Sequence, residues 1–217
     1  MGKLIVFEGI DGSGKSTQYK KLCERLKTEG ILFRNLVFPR YDNPSSALIR
    51  MYLNGEFGEK PTDVNAYAAS AFFAVDRYAS YVQDWKAAYE AGVLIVTDRY
   101  TTSNAVHQAS KLPEAERGAF LDWLYEFEHE RLMLPKPDMV LFLDVSLETS
   151  VRHLRERESD TRTKADIHER DSSYLMCSIE AAHEAAGRFG WKTIDGSRSV
   201  DEIANEVYEA VKTQCRI

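Results

Sequence analysis

A chain of 217 residues suits one α/β domain built around a single large core. With 44% hydrophobic and 29% charged residues its composition is that of an ordinary globular protein, and a net charge of -6 excludes a broad basic surface for duplex DNA or RNA. No run approaches the roughly 20 apolar residues of a membrane span. Leu4-Ile5-Val6-Phe7 is too short for a signal peptide, and Val6 stands where a myristoylation site needs Ser or Thr. The three cysteines (Cys23, Cys177, Cys215) are scattered and form no CxxC pair, which fits a reducing compartment. The expectation is a cytoplasmic protein with neither a nucleic-acid nor a membrane partner.

In chain order, short apolar runs alternate with longer helical patterns, the signature of βαβ units around a parallel sheet. Leu4–Glu8 reads as the first strand, Lys15–Glu29 as a helix stopped by Gly30, and Leu32–Phe38 as the second strand, closed by Pro39. Helices follow over Pro44–Asn54 and Asp63–Ala91, the second with Thr62 as its N-cap. Val93–Thr97 is a buried strand, residues 101–110 are helical, and Pro113 starts a helix running to Arg131. Met139–Leu143 is the fourth strand; Leu147–Glu158 is helical and leads into a charged stretch, 159–170. Ser172–Phe189 is helical, Lys192–Ile194 is the last strand, and Ser199-Val200-Asp201-Glu202 is a capping box for the final helix. No repeat or linker divides the chain, so residues 1–217 read as one domain.

Between the first strand and the first helix stands Gly9-Ile10-Asp11-Gly12-Ser13-Gly14-Lys15-Ser16, followed by Thr17. This is a P-loop in the strand–loop–helix setting that its mechanism needs. Its glycines let backbone N–H groups wrap a triphosphate, and the helix N-terminus faces the same anion. Lys15 reaches the β- and γ-phosphates, and the Ser16 hydroxyl can ligate magnesium. A GTPase would also need a guanine reader after a strand. Thr163-Lys164-Ala165-Asp166 matches that string but sits in a charge-dense stretch after a helix, so it is read as accidental.

Four further features line up. Phe38-Pro39-Arg40-Tyr41 lies at the C-terminal edge of the second strand, where Arg40 can clamp a monophosphate bidentately. Phe73 and Arg77, in Phe72-Phe73-Ala74-Val75-Asp76-Arg77, are four apart and share one helix face; Phe72 is the reserve choice for the Phe73 role. Asp98-Arg99-Tyr100 follows a central strand beside the P-loop, where Asp98 can hold magnesium or its water shell. Ser103-Asn104-Ala105-Val106-His107-Gln108 continues as a helix lining the pocket.

Together with Phe7–Thr17, these segments resemble the thymidylate kinases, P-loop nucleoside monophosphate kinases, over nearly the whole chain. The resemblance implies the three-layer P-loop NTPase fold: about five parallel strands flanked by helices, with a short lid at about 155–171. It implies ATP as donor, dTMP as acceptor, Mg2+ as cofactor and a homodimer. By the same resemblance Asp11 accepts a hydrogen bond from the acceptor 3′-hydroxyl, Phe73 stacks on thymine and Arg77 bonds its carbonyl oxygen. Arg99 contacts the acceptor phosphate, Asn104 bonds the thymine edge, and Phe38 and Gln108 complete the acceptor pocket. His107 stands where the family often has an aromatic residue packed near the sugar 2′-carbon. Phe73 and Arg77 would serve uracil as well as thymine, so they do not rank dTMP against dUMP.

Some family members carry an arginine at the position of Gly12; here the charge that stabilises phosphoryl transfer must come from the lid, as in the bacterial type. Arg155, Arg157, Arg162 and Arg170 are candidates, with Arg155 and Arg162 favoured. Two rival readings are a deoxynucleoside kinase, which needs no monophosphate clamp, and a P-loop binding protein without kinase activity.

Overall fold

β1 (Leu4–Glu8) and β3 (Leu94–Asp98) are buried along their whole length, because parallel strands covered by helices on both faces need no polar side. With β2 (Phe33–Val37), β4 (Met139–Asp144) and β5 (Lys192–Asp195) they form one parallel sheet in the order β2-β3-β1-β4-β5. The two edge strands are the more exposed ones. The computed structural model describes residues 1–161 and 172–217, with side chains described outside 157–173.

Alternation along the strands divides the core into two layers. Ile5, Phe7, Leu94, Val96, Leu141 and Leu143 face α1 (Lys15–Thr28) and α9 (Val200–Cys215). Leu4, Val6, Ile95, Val140 and Phe142 face the other way, against α5 (Thr102–His107), α6 (Glu114–Tyr125) and α8 (Ser172–Phe189). The five expected strands are all present, and Ser199 caps α9 reciprocally with Glu202 as its capping box requires.

Several details differ from the sequence reading. Thr62 is not the cap of the long helix: Pro61 draws it into a 3₁₀ turn, Pro61–Asp63. Helix α3 (Ala66–Ser80) starts later, capped by Asn65, whose side chain accepts from the Ala68 N–H at 2.8 Å. The helix then runs through a π turn, Tyr81–Trp85, into α4 (Lys86–Glu90). A second π turn, Glu126–Arg131, extends α6, whose first residue is Glu114 rather than Pro113. The segment 44–54 is a 3₁₀ turn followed by α2 (Ala47–Leu53), and α7 spans Leu147–Thr161.

Candidate active site

The loops after all five strands meet at the C-terminal edge of the sheet, where open α/β folds place their ligands. They enclose a cavity of about 900 Å³, large enough for two nucleotides side by side. One half is lined by Gly12–Gln18 of the P-loop, by Thr149, Arg152 and His153 of α7, and by 196–198 after β5. The other half is lined by Phe38, Phe73, Arg77, Arg99, Asn104, His107 and Gln108. Asp11 lies where the halves join.

In the P-loop, Gly12 and Gly14 take left-handed backbone angles, φ 78° and 83°. Gly12 also has no room for a side chain, since a Cβ there would stand 2.4 Å from the Ser150 carbonyl oxygen. An arginine at this position is therefore excluded by packing as well as absent from the sequence. Gly9 and Ile10 lie beneath the loop, with Ile10 in the core. Lys15 is buried, its ammonium 3.4 Å from the Ile10 carbonyl and 3.5 Å from Asp11 Oδ1. Ser16 Oγ donates to Asp98 Oδ2 at 2.6 Å, while the second oxygen of this buried carboxylate, Oδ1, has no hydrogen-bond partner among the described residues. A hydroxyl and a carboxylate with an unsatisfied oxygen form a hard-oxygen set that fits Mg2+, which binds through one or two carboxylates plus substrate phosphates.

Arg99 directly follows Asp98 and holds φ 68°, a costly conformation for a residue with a side chain. Its N–H donates to the Phe7 carbonyl at 3.0 Å, and Thr97 Oγ1 donates to the Arg99 carbonyl at 2.8 Å, which fixes the turn. The guanidinium pairs with Asp11, lies 3.8 Å from Glu8 and donates to His107 Nε2 at 2.9 Å. Burial pulls its pKa down, but Asp11, Glu8 and Asp98 outweigh that and hold it above the ordinary value. Since arginine only donates, His107 accepts at Nε2, and its ring stacks on Tyr174 with centroids 6.4 Å apart.

The half of the cavity away from the P-loop is backed by a buried network. Arg77 binds Glu128 through two bonds, at 2.7 and 2.6 Å, and Asn104 donates to the same carboxylate at 2.9 Å. Phe73 lines the cavity and meets Tyr52 edge-on, whereas Phe72 packs against Phe57. Phe73, preferred over Phe72 for its spacing to Arg77, is the one of the two that lines the cavity.

Two expected residues are not among those that line the cavity. Arg40 does not line the cavity: its guanidinium is held by the buried Asp76, 3.4 Å away, and by Asp84. Arg155 is exposed on α7 and also lies off the cavity wall, while Arg152, one turn earlier, lines it. Arg162 and Arg170, and the side chain of Arg157, lie outside the described residues.

The sequence reading passed over several residues. Glu8, a lone acid closing an apolar strand, was a usable signal of a buried carboxylate awaiting partners. Arg152 lies three residues before Arg155 on the same helix, a spacing that could have drawn it in. Glu128 and Asp84 carried no signal, because nothing local marks which surface-like acid will be folded onto an arginine. Replacing Glu128 by Leu should strand the Arg77 charge in the interior and cost about 3–5 kcal/mol in urea unfolding. The double variant R77M/E128L should recover most of that loss.

The chain matches the family described as thymidylate kinase over residues 7–207. A thymidylate kinase of Mycobacterium tuberculosis is 35% identical over 190 residues, covering 87% of this chain and 87% of the relative. The human thymidylate kinase is 29% identical over 211 residues, covering 95% of this chain and 88% of that protein. The solved structure of the Candida albicans thymidylate kinase aligns with a TM-score of 0.72 at 24% identity over 98% of this chain and 92% of that one, a likeness of fold. With a P-loop, a carboxylate-backed arginine and the Phe73, Arg77 and Asn104 side chains on one cavity, and with the family match spanning almost its full length, the chain belongs to the thymidylate kinase family.

Proposed function

We propose that the protein transfers the γ-phosphoryl group of ATP to dTMP, giving dTDP and ADP. The observation that carries this reading is that the P-loop and the Phe73–Arg77–Asn104 slot open into the same cavity, with Asp11 and Arg99 between them. A phosphate oxygen of dTMP attacks the γ-phosphorus; its new P–O bond forms as the bond to the β–γ bridging oxygen breaks, and ADP leaves. The work of the protein is positioning and charge neutralisation rather than proton abstraction.

In this reading Lys15 and the loop N–H groups hold the donor phosphates. Arg99, pre-organised by Asp11, Glu8 and His107, meets the acceptor phosphate. Phe73 stacks on the base, and Asn104 and Arg77 present polar edges already oriented by Glu128. His107, Gln108 and Phe38 close the sugar and phosphate side. Ser16 and Asp98 would hold Mg2+, which supplies charge neutralisation of the triphosphate when bound. The free thiols of Cys23, Cys177 and Cys215 suit the cytoplasm.

A coupled assay with dTMP and thymidine side by side tests the reading. Turnover with dTMP is the expected result, and phosphorylation of thymidine but not dTMP would make the protein a deoxynucleoside kinase. We further assign the missing catalytic charge to an arginine of segment 155–171, Arg155 and Arg162 being the first to change. Changing the responsible arginine to Ala should lower kcat by orders of magnitude with little movement of the KM for dTMP. The assignment fails if no single change lowers kcat more than about tenfold.

A homodimer is also proposed. Val75, Tyr78 and Val82 leave an exposed apolar stripe on one face of the long helix, at a spacing that keeps them together. Sedimentation should give twice the chain mass, and Val75→Glu should shift it towards monomer; a monomeric native protein would refute the proposal.

A further inference from the structure

The P-loop is gripped from behind by α7, the helix that runs into segment 155–171. Ser150 Oγ donates to the Asp11 carbonyl at 2.6 Å. His153 Nδ1 lies 2.7 Å from the Gly12 carbonyl. A carbonyl only accepts, so Nδ1 carries a proton in this contact whether the ring is neutral or charged. Between the two bonds the Ser150 carbonyl oxygen stands 2.4 Å from the place a Cβ on Gly12 would occupy. Loop and helix are thus in backbone contact, and only glycine allows it.

A trans peptide points its N–H opposite to its C=O. Holding the Asp11 carbonyl on α7 therefore turns the Gly12 N–H away from α7, and Gly12 lines the cavity. The next plane is held at both ends, its carbonyl by His153 and its N–H, from Ser13, by the Ile10 carbonyl at 3.1 Å. Two consecutive peptide planes of a phosphate-binding loop are in this way set by side chains of one helix. Their orientation decides where the loop donors point.

We infer that Ser150 and His153 are positioning residues for the phosphoryl donor. They shape the P-loop through its carbonyls and tie that shape to the seat of α7. The inference rests on the P-loop being the ATP site, but not on the identity of the acceptor. Ser150 is fully buried and acts on the nucleotide only through the loop. His153 also lines the cavity, so Ser150 is the cleaner probe.

The experiment is calorimetric binding of ATP to the full chain, without acceptor, for S150A, H153A and H153N, with KM for ATP and dTMP measured alongside. Loss of one such hydrogen bond should weaken ATP binding about fivefold in S150A and in H153A. The KM for ATP should rise more than the KM for dTMP, because the acceptor half meets this loop only through the Asp11 side chain, whereas these bonds set the loop's own peptide planes. Asn places an amide donor near the position of Nδ1, so H153N should retain most of the native ATP affinity. Unchanged ATP affinity in S150A and H153A overturns the inference, as does an H153N as weak as H153A. An equal rise in both KM values would also overturn it, since that marks general damage to the fold. Loss of dTMP turnover with native ATP binding in the unmodified protein would count against the proposed reaction and leave the binding test intact.

Discussion

Glu8 is fully buried at the end of β1, and the site is arranged around it. Oε1 accepts from the Gly9 N–H at 2.9 Å and faces Arg99 at 3.8 Å; Oε2 accepts from the hydroxyls of Thr102 and Ser103 at 2.6 and 2.7 Å. One carboxylate thereby joins the first residue of the P-loop, the arginine after β3 and the start of α5. A charge in so dry a place is tolerable only when its lone pairs are satisfied, so the partners cannot drift without a large penalty. This is why Arg99 can keep a left-handed backbone in a chain that would otherwise relax it. The same bonds tie the start of α5 to the P-loop.

A comparable logic governs the two π turns. Each inserts an extra residue into a helix, and each places an acid on an arginine: Glu128 on Arg77, Asp84 on Arg40. An α-helical pitch would turn both acids to other faces. Arg77 and Asn104 are consequently oriented by one shared carboxylate, that of Glu128. Arg40 is held in a different way, between buried Asp76 and more exposed Asp84.

The reading of Phe73 against Phe72 shows where local patterns suffice. Residues four apart on a helix share a face whatever the rest of the fold does, so Phe73 and Arg77 had to project together. Arg155 shows where such patterns stop. Its charge density was visible, but which of several arginines on one helix faces the loop depends on how α7 seats against Gly12, a contact between residues far apart in the chain. Thr62 and Asn65 are both good caps; Pro61 decided between them by taking Thr62 into a 3₁₀ turn.

By itself the sequence determined the parallel sheet, the P-loop with its Lys15 and Ser16, and the acid–arginine pair that closes β3. These rest on apolar runs, glycines and residue spacing, all of which act over a few residues. Only the tertiary structure decided that Glu8 and Glu128 would be carboxylates holding Arg99 and Arg77, that Asp84 would hold Arg40, and that Ser150 and His153 would grip the loop. Ion pairs and side-chain bonds to the backbone join residues tens of positions apart, and a buried charge takes whichever partner the folded core brings within reach. The chemistry of each group is written in the chain, while its partner is chosen by packing.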